Sequence, residues 1–263
     1  MSRKLNLHLI QWRIVPGEIK ENLDKAANMI SSAEPGQGSM ILLPEMFPSG
    51  FYYENLAKMA DEYETVVQWM GAMASRYGSG VAGSMAVHRP DGVANTMVVV
   101  DETGHIVAVY DKIHLFYVAD EDKHFTPGRG TEVAAWHGTV LGLAICFDLR
   151  FPEMTRTLCE SGAKVVLVSA QWPKARVDHF RDFIRVRAME NQMFIASCNS
   201  CGDDGKGLAL GGGSTVVGPS GEVKDVLGQE EAVLTVSIDL DEVEHIRESF
   251  PVLKVRRRDI FGD

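Results

Sequence analysis

The chain has 263 residues, 45% of them hydrophobic and 24% charged, which is enough apolar material for a large core and shows no low-complexity tract. A formal charge of −10 and a pI near 5.3 argue against a nucleic-acid-binding surface. No stretch approaches the roughly 20 apolar residues that span a bilayer, and "MSRKLNLHLIQWRIVPGE" lacks both the apolar core and the small-residue cleavage site of a signal peptide.

In chain order, "LNLHLIQW" predicts a short apolar strand. Ile19, Leu23, Ala26 and Ile30 then recur at helical spacing with charged residues between them. "MILLPEMF" predicts a buried strand ended by Pro44, and Tyr63, Val66, Val67, Met70, Met73, Ala74 and Tyr77 predict a second helix packed on a sheet. The period changes in "GVAGSMAV", "ANTMVVVDETGHIVAVYDK" and "TEVAAWHGTVLGLAIC", which are β-rich and punctuated by the turn signals "RPDG", "DETG" and "HG". Helix and strand alternate again in "RFPEMTRTLCESG", "AKVVLVSA", a long helix from about residue 174 to 191, and the strand "QMFIASCNS". A Gly-rich loop precedes two last strands, "GSTVVGPSGEV" and "AVLTVSIDL". Mixed α/β with many hairpins points to a layered sheet protein, and no composition break divides residues 1–263 into more than one domain.

Several familiar signatures are absent or incomplete. HExxH does not occur, and His114 and His124 have poor metal-site spacing. "GKGLALGGGS" does not link a strand to a helix, and "GPSGEVK" lacks the ending of a phosphate loop, so both read as turns. "CNSC" puts Cys198 and Cys201 at redox spacing, but no second pair completes a zinc site and glycines rather than a helix follow. Reduced, cytoplasmic cysteines are the simpler reading.

Three reactive groups each follow a buried-type strand: Glu45 in "ILLPEMFPSGF", Lys112 in "HIVAVYDKIHLF" and Cys146 in "LGLAICFDLRF". Singly, each has an ordinary explanation as a cap, a snorkelling amine or a small core residue. Together they make a chemical set. A carboxylate can take the proton of a thiol, an ammonium can offset charge on a tetrahedral oxyanion, and the carboxyl can return the proton to a leaving amine before activating water. That cycle hydrolyses a carbon–nitrogen bond with no metal or organic cofactor.

On these motifs the chain resembles the nitrilase superfamily of carbon–nitrogen hydrolases. "LPEMFPSGF" is similar to the family's glutamate motif, "YDKIHLF" to its lysine motif and "CFDLRFPE" to its cysteine motif. "RAMENQMFIASCN", "GGGSTVVGPSGEV" and "FPVLKVRRRD" extend the likeness along essentially the whole chain. The resemblance implies a four-layer α-β-β-α sandwich, a homodimer paired through its helical faces, and a second glutamate, Glu121, that orients Lys112 and the leaving group. It also implies an oxyanion hole made by the Lys112 ammonium and the backbone N–H of Phe147. The position just after a nucleophile at a strand-to-helix turn suits that N–H independently.

"SAQWPKARVDHF", with "EMFPSGF" and "YDKIHLFYVADEDKHF", resembles the bacterial omega-amidase group. That implies a small amide substrate bearing a carboxylate, 2-oxoglutaramate or 2-oxosuccinamate, hydrolysed through a cysteine thioester. Such a substrate needs an apolar wall, for which Phe116 and Trp172 are the candidates, and a cation, for which Arg176 (or Lys174) is the candidate. A solvated helix face is the competing explanation for Arg176. Arg150 is expected to tie backbone or carboxylate groups around the nucleophile, with His114 as a hydrogen-bonded support and Glu190 structural. Deaminated glutathione amidase is the nearest alternative activity, followed by a carbamoyl-amine hydrolase. A silent scaffold would have no need for Glu45, Lys112, Cys146 and Glu121 together.

Overall fold

The computed structural model describes residues 3–261, so residues 1–2 and 262–263 of the expected single-domain span lie outside the described residues. The strands are β1 (Lys4–Gln11), β2 (Met40–Leu42), β3 (Gly80–Arg89), β4 (Gly92–Val100), β5 (Ile106–Asp111), β6 (Val133–Trp136), β7 (Thr139–Ile145), β8 (Val165–Ala170), β9 (Phe194–Asn199), β10 (Cys201–Asp203), β11 (Ala209–Gly211), β12 (Thr215–Val217), β13 (Val223–Val226) and β14 (Ala232–Asp239). The helices used below are α1 (Ile19–Ala33), α2 (Leu56–Asp61), α3 (Tyr63–Tyr77), α4 (Glu121–His124), α5 (Pro152–Glu160), α6 (Val177–Asn191) and α7 (Asp241–Ser249).

Two six-stranded sheets carry the fold, in the orders β14-β1-β2-β3-β4-β5 and β13-β12-β9-β8-β7-β6. Period-2 alternation sorts their side chains. Leu5, Leu7 and Leu9 of β1 face the inter-sheet core, whereas Ile10 joins an outer core with Leu23, Ala26 and Ile30 of α1 and Val66, Met70 and Ala74 of α3. The inter-sheet core runs through the second sheet to Leu158 of α5 and to Phe180, Ile184 and Ala188 of α6. The layers are therefore helix, sheet, sheet, helix, as the sequence resemblance implied. Each such Val, Leu, Ile, Met or Phe side chain contributes about 1.5–3 kcal/mol when removed from water.

β1, β2 and β3 are mutually parallel, as are β7, β8 and β9. Parallel neighbours place their carboxyl ends together, and that is where open α/β sheets collect ligands. Glu45 lies just past β2, Cys146 just past β7 and Gln171 just past β8.

Three elements differ from the sequence reading. β2 stops at Leu42, because Leu43 and Phe47 carry the apolar run onward as a turn that bonds to Ala82 and Ser84. The Gly-rich segment holds a hairpin, β10–β11, too short at three residues per strand for alternation to show. Finally, α7 buries only Val243, so it has almost no apolar stripe by which to be found. Among the described residues no helix is long and apolar enough to cross a membrane.

Candidate active site

The loop after β2 is pinned between the two sheets. Ser169 of β8 donates its hydroxyl to the Leu43 carbonyl (2.8 Å), and the Gln171 side-chain amide donates to the Glu45 carbonyl (2.8 Å). Glu45 itself is 1% exposed. Its carboxylate accepts from Asn95 Nδ2 (2.9 Å), the Gln171 N–H (3.0 Å) and Lys112 Nζ (2.8 Å). A buried carboxylate needs such donors to remain an anion at all.

Lys112 follows β5 and is fully buried. Its N–H bonds to the Asn95 carbonyl and its own carbonyl accepts from the Gly128 N–H (2.8 Å). Gly128 has to be glycine, since a Cβ there would fall 2.1 Å from the Asp111 carbonyl oxygen. The ammonium reaches Glu45 and both oxygens of Glu121, at 2.9 and 2.8 Å. Glu121, on α4, is 3% exposed and also accepts from the Phe116 N–H.

Cys146 begins a 3-10 turn after β7 and has φ +47°, a left-handed conformation that costs a non-glycine residue about 1–3 kcal/mol. Asp148, fully buried, offsets that strain. It accepts from the Ile145 N–H, from the Tyr110 hydroxyl (2.7 Å) and from both the N–H and the ring nitrogen of His114. The Cys146 turn and the lysine segment are thus fastened to one carboxylate. From the other side, Arg187 of α6 donates to the carbonyls of Leu149 and Arg150 (both 3.0 Å) and pairs with Glu190 (2.9 Å).

Electrostatics follow from burial. Desolvation pushes the Cys146 thiol well up; the Glu45 charge adds to this, while Lys112 and a Gln171 backbone hydrogen bond oppose it. Desolvation also raises Glu45, opposed by Lys112 and by a hydrogen bond from Cys146. For Lys112, desolvation favours the neutral amine, but Glu121 and Glu45 outweigh it and hold the proton firmly. The resting arrangement is a protonated thiol beside a carboxylate with unusual proton affinity, with a fixed ammonium next to both.

Glu45, Glu121 and Cys146 open into a cavity of about 400 Å³, and Lys112 lies fully buried behind them. The structure brings Glu45, Glu121 and Cys146 to its floor and Phe116, Phe147, Trp172 and Arg176 to its walls. Lys174 is exposed and does not line it. The Trp172 indole N–H is fixed on the Arg176 carbonyl (2.9 Å), and the Phe147 ring packs 5.0 Å from Phe116. His114 is held by Asp148 and stacked on Phe151, as a support residue should be.

Arg150 requires a correction. Among the described residues, its side chain ties no backbone or carboxylate group around Cys146. Instead its guanidinium lies over the rings of Phe147, Trp172 and Phe183 at 5.7, 5.2 and 5.0 Å and faces the cavity. Partial burial and the nearby Arg176 lower its proton affinity, as expected of a cation without an anion. Sequence reasoning also missed Asn95, Gln171, Asp148, Tyr53 and Lys206. The first two are ordinary amides until the fold aims them at Glu45. For Asp148 a signal was present: an acid two residues after a candidate nucleophile.

A profile of the family described as carbon-nitrogen hydrolase matches residues 7–248. The 2-oxoglutaramate amidase of Bacillus subtilis (strain 168) is 35% identical over 260 residues, 98% of this chain and 100% of that protein. Omega-amidase YafV of Escherichia coli (strain K12) is 36% identical over 213 residues, 81% of this chain and 82% of that one. Among solved structures, a mutant amidase from Nesterenkonia sp. AN1, with the acetamide moiety of fluoroacetamide covalently added at its active site cysteine, superposes with a TM-score of 0.85. That protein is 28% identical, and the match covers 99% of this chain and 96% of that one.

Proposed function

The chain belongs to the carbon–nitrogen hydrolase family of the nitrilase superfamily, and from that premise we propose that it is an omega-amidase. It hydrolyses the terminal amide of 2-oxoglutaramate or 2-oxosuccinamate to the 2-oxo dicarboxylate and ammonia. The observation that carries the reading beyond the family is the pair of cations, Arg150 and Arg176, facing the cavity with no carboxylate partner among the described residues. In a chain of net charge −10, unpaired guanidinium groups beside an apolar wall of Phe116 and Trp172 suit the carboxylate and carbon chain of such a substrate.

In the mechanism, Glu45 takes the Cys146 proton as Sγ attacks the amide carbon. The carbonyl π electrons move to oxygen, and the oxyanion is held by Lys112 Nζ and the Phe147 N–H. Charge bookkeeping explains the timing. At rest Lys112 is shared between Glu45 and Glu121. Once Glu45 is protonated it releases its claim on the ammonium, and an N–H becomes free as the oxyanion forms. Glu45 then gives its proton to the departing nitrogen, leaving a Cys146 thioester and ammonia. In the second half it takes a proton from water, whose oxygen attacks the thioester. Collapse expels the thiolate, which is reprotonated, and the product is the carboxylate. Glu121 keeps Lys112 in place throughout. No metal or cofactor enters the cycle.

The shared inter-sheet core supports treating the chain as one catalytic domain. Exposed Val186 and Met189 on α6 support pairing of two copies through the helical face, and four free thiols support a cytoplasmic setting. The test of function is ammonia release from 2-oxoglutaramate, 2-oxosuccinamate, deaminated glutathione and N-carbamoyl amines at matched concentrations. The 2-oxo acid amides are expected to give the highest kcat/KM. Preference for a carbamoyl compound overturns the proposal.

A further inference from the structure

We infer that Lys206, on the β10–β11 hairpin, is a second receptor for the substrate carboxylate and sets the preference for anionic over neutral amides. The inference rests on the omega-amidase reading and deepens it.

The hairpin is built as a fixed arm rather than a loose loop. Its base is joined to the cavity wall, with the Gly211 N–H on the Trp172 carbonyl (2.9 Å) and a bridge between Pro173 and Leu210. Its outer side rests on the loop that follows β1: Arg13 Nε donates to the Asp203 carbonyl, and Gly205 lies so close to Pro16 that a Cβ would meet it at 2.8 Å. The tip is turned by its own acids. Asp203 accepts from the Gly205 N–H, and Asp204 accepts from the N–H groups of Lys206 and Leu208 (2.8 and 2.9 Å). The two carboxylates nearest Lys206 in sequence are thereby occupied with backbone.

The ammonium of Lys206 lies 5.1 Å from the centre of the Tyr53 ring and has no carboxylate partner among the described residues. Asp204, Lys206 and Leu208 all line the cavity that holds Cys146. Tyr53 is a firm platform. Its ring is stacked on His124 at 4.1 Å, and its hydroxyl donates to the Ala119 carbonyl (3.1 Å). Burial and the Glu121 charge keep that hydroxyl protonated. A cation over a ring face retains attraction for an anion, because the ring holds it without neutralising it. Arg150 rests in the same way on Trp172, Phe147 and Phe183, which share no ring contact with the Tyr53 cluster. Two ring-mounted cations from separate segments thus face one cavity. A carboxylate is the anion suited to cations of this kind.

The experiment compares kcat/KM for 2-oxoglutaramate with that for pentanamide, a neutral amide of equal chain length, in the native enzyme, Lys206→Met, Lys206→Arg and Arg150→Met. Lys206→Met should lower the anionic-to-neutral ratio about tenfold through KM, and Lys206→Arg should restore most of it. Tyr53→Leu should lower the ratio as well, whereas Tyr53→Phe, which keeps the ring, should not. A high native ratio that collapses in Arg150→Met but is unmoved in Lys206→Met overturns the inference and leaves the omega-amidase reading standing. A native ratio near one overturns both.

Discussion

The cavity floor and the cavity mouth handle charge in opposite ways. At and beneath the floor, Glu45, Lys112 and Glu121 are at most 3% exposed, and Lys112 is bonded to both carboxylates. At the mouth, Arg150, Arg176 and Lys206 have no ionic partner among the described residues, and Arg150 and Lys206 sit on aromatic faces. Buried charges tolerate no vacancy, so the floor must be complete before substrate arrives and serves any amide that reaches it. Cations at a hydrated mouth can wait unpaired at little cost, and on the proposed function that vacancy is what selects an anion, so that chemistry and selectivity are separated by depth.

Substitutions can break or sharpen this contrast. Cys146→Ala should cost about 10⁴-fold or more in kcat, measured as ammonia release, with a folded protein by thermal melting. Retained turnover would contradict the mechanism. Glu45→Gln should lower kcat about 10²–10⁴-fold, since general acid–base transfer is lost while Lys112 keeps Glu121. Its pH profile is equally informative. The active form needs ionised Glu45, whose proton affinity is raised by burial. Native kcat/KM should therefore rise with pH along a limb displaced above the usual glutamate value of about 4.3, and the glutamine variant should lack that limb.

Effects at the mouth should be smaller and should fall on binding. Arg150→Met is expected to raise KM for 2-oxoglutaramate about 10–100-fold with a lesser change in kcat. An equal loss in kcat would assign Arg150 to the floor. Salt gives the mildest test. Raising ionic strength from about 0.05 to about 0.5 M should raise KM for the anionic substrate about 2–3-fold, because exposed cations are screened and buried pairs are not. A matching fall in kcat would erase the distinction.

The same division governs what the sequence reveals. Glu45 and Cys146 each interrupt a run of core residues, so their placement is legible from hydrophobicity, whereas Lys112 follows the edge strand β5, whose Ile106, Val107 and Val109 are exposed; the four-layer fold follows once the motifs are seen as one family's. Arg150 was misassigned because its position depends on Trp172 and Phe183, which come from β8's exit and α6. Lys206 lies in a glycine-rich segment that resembles a mobile turn. The Asp203 and Asp204 side-chain bonds, the dock on Arg13 and Pro16 and the join to Trp172 and Pro173 make it an arm. Asn95 and Gln171 act through one carboxylate distant in sequence, a relation that periodicity does not encode.

The central claim, that Cys146 carries the acyl group of an omega-amidase substrate, is tested most directly by acid-quenching the enzyme during turnover of 2-oxoglutaramate and mapping the modified peptide by mass spectrometry. The account predicts a thioester adduct, equal to substrate minus ammonia, on the peptide containing Cys146 and on none containing Cys159, Cys198 or Cys201. An adduct on another cysteine, or turnover that survives Cys146→Ala, would contradict it.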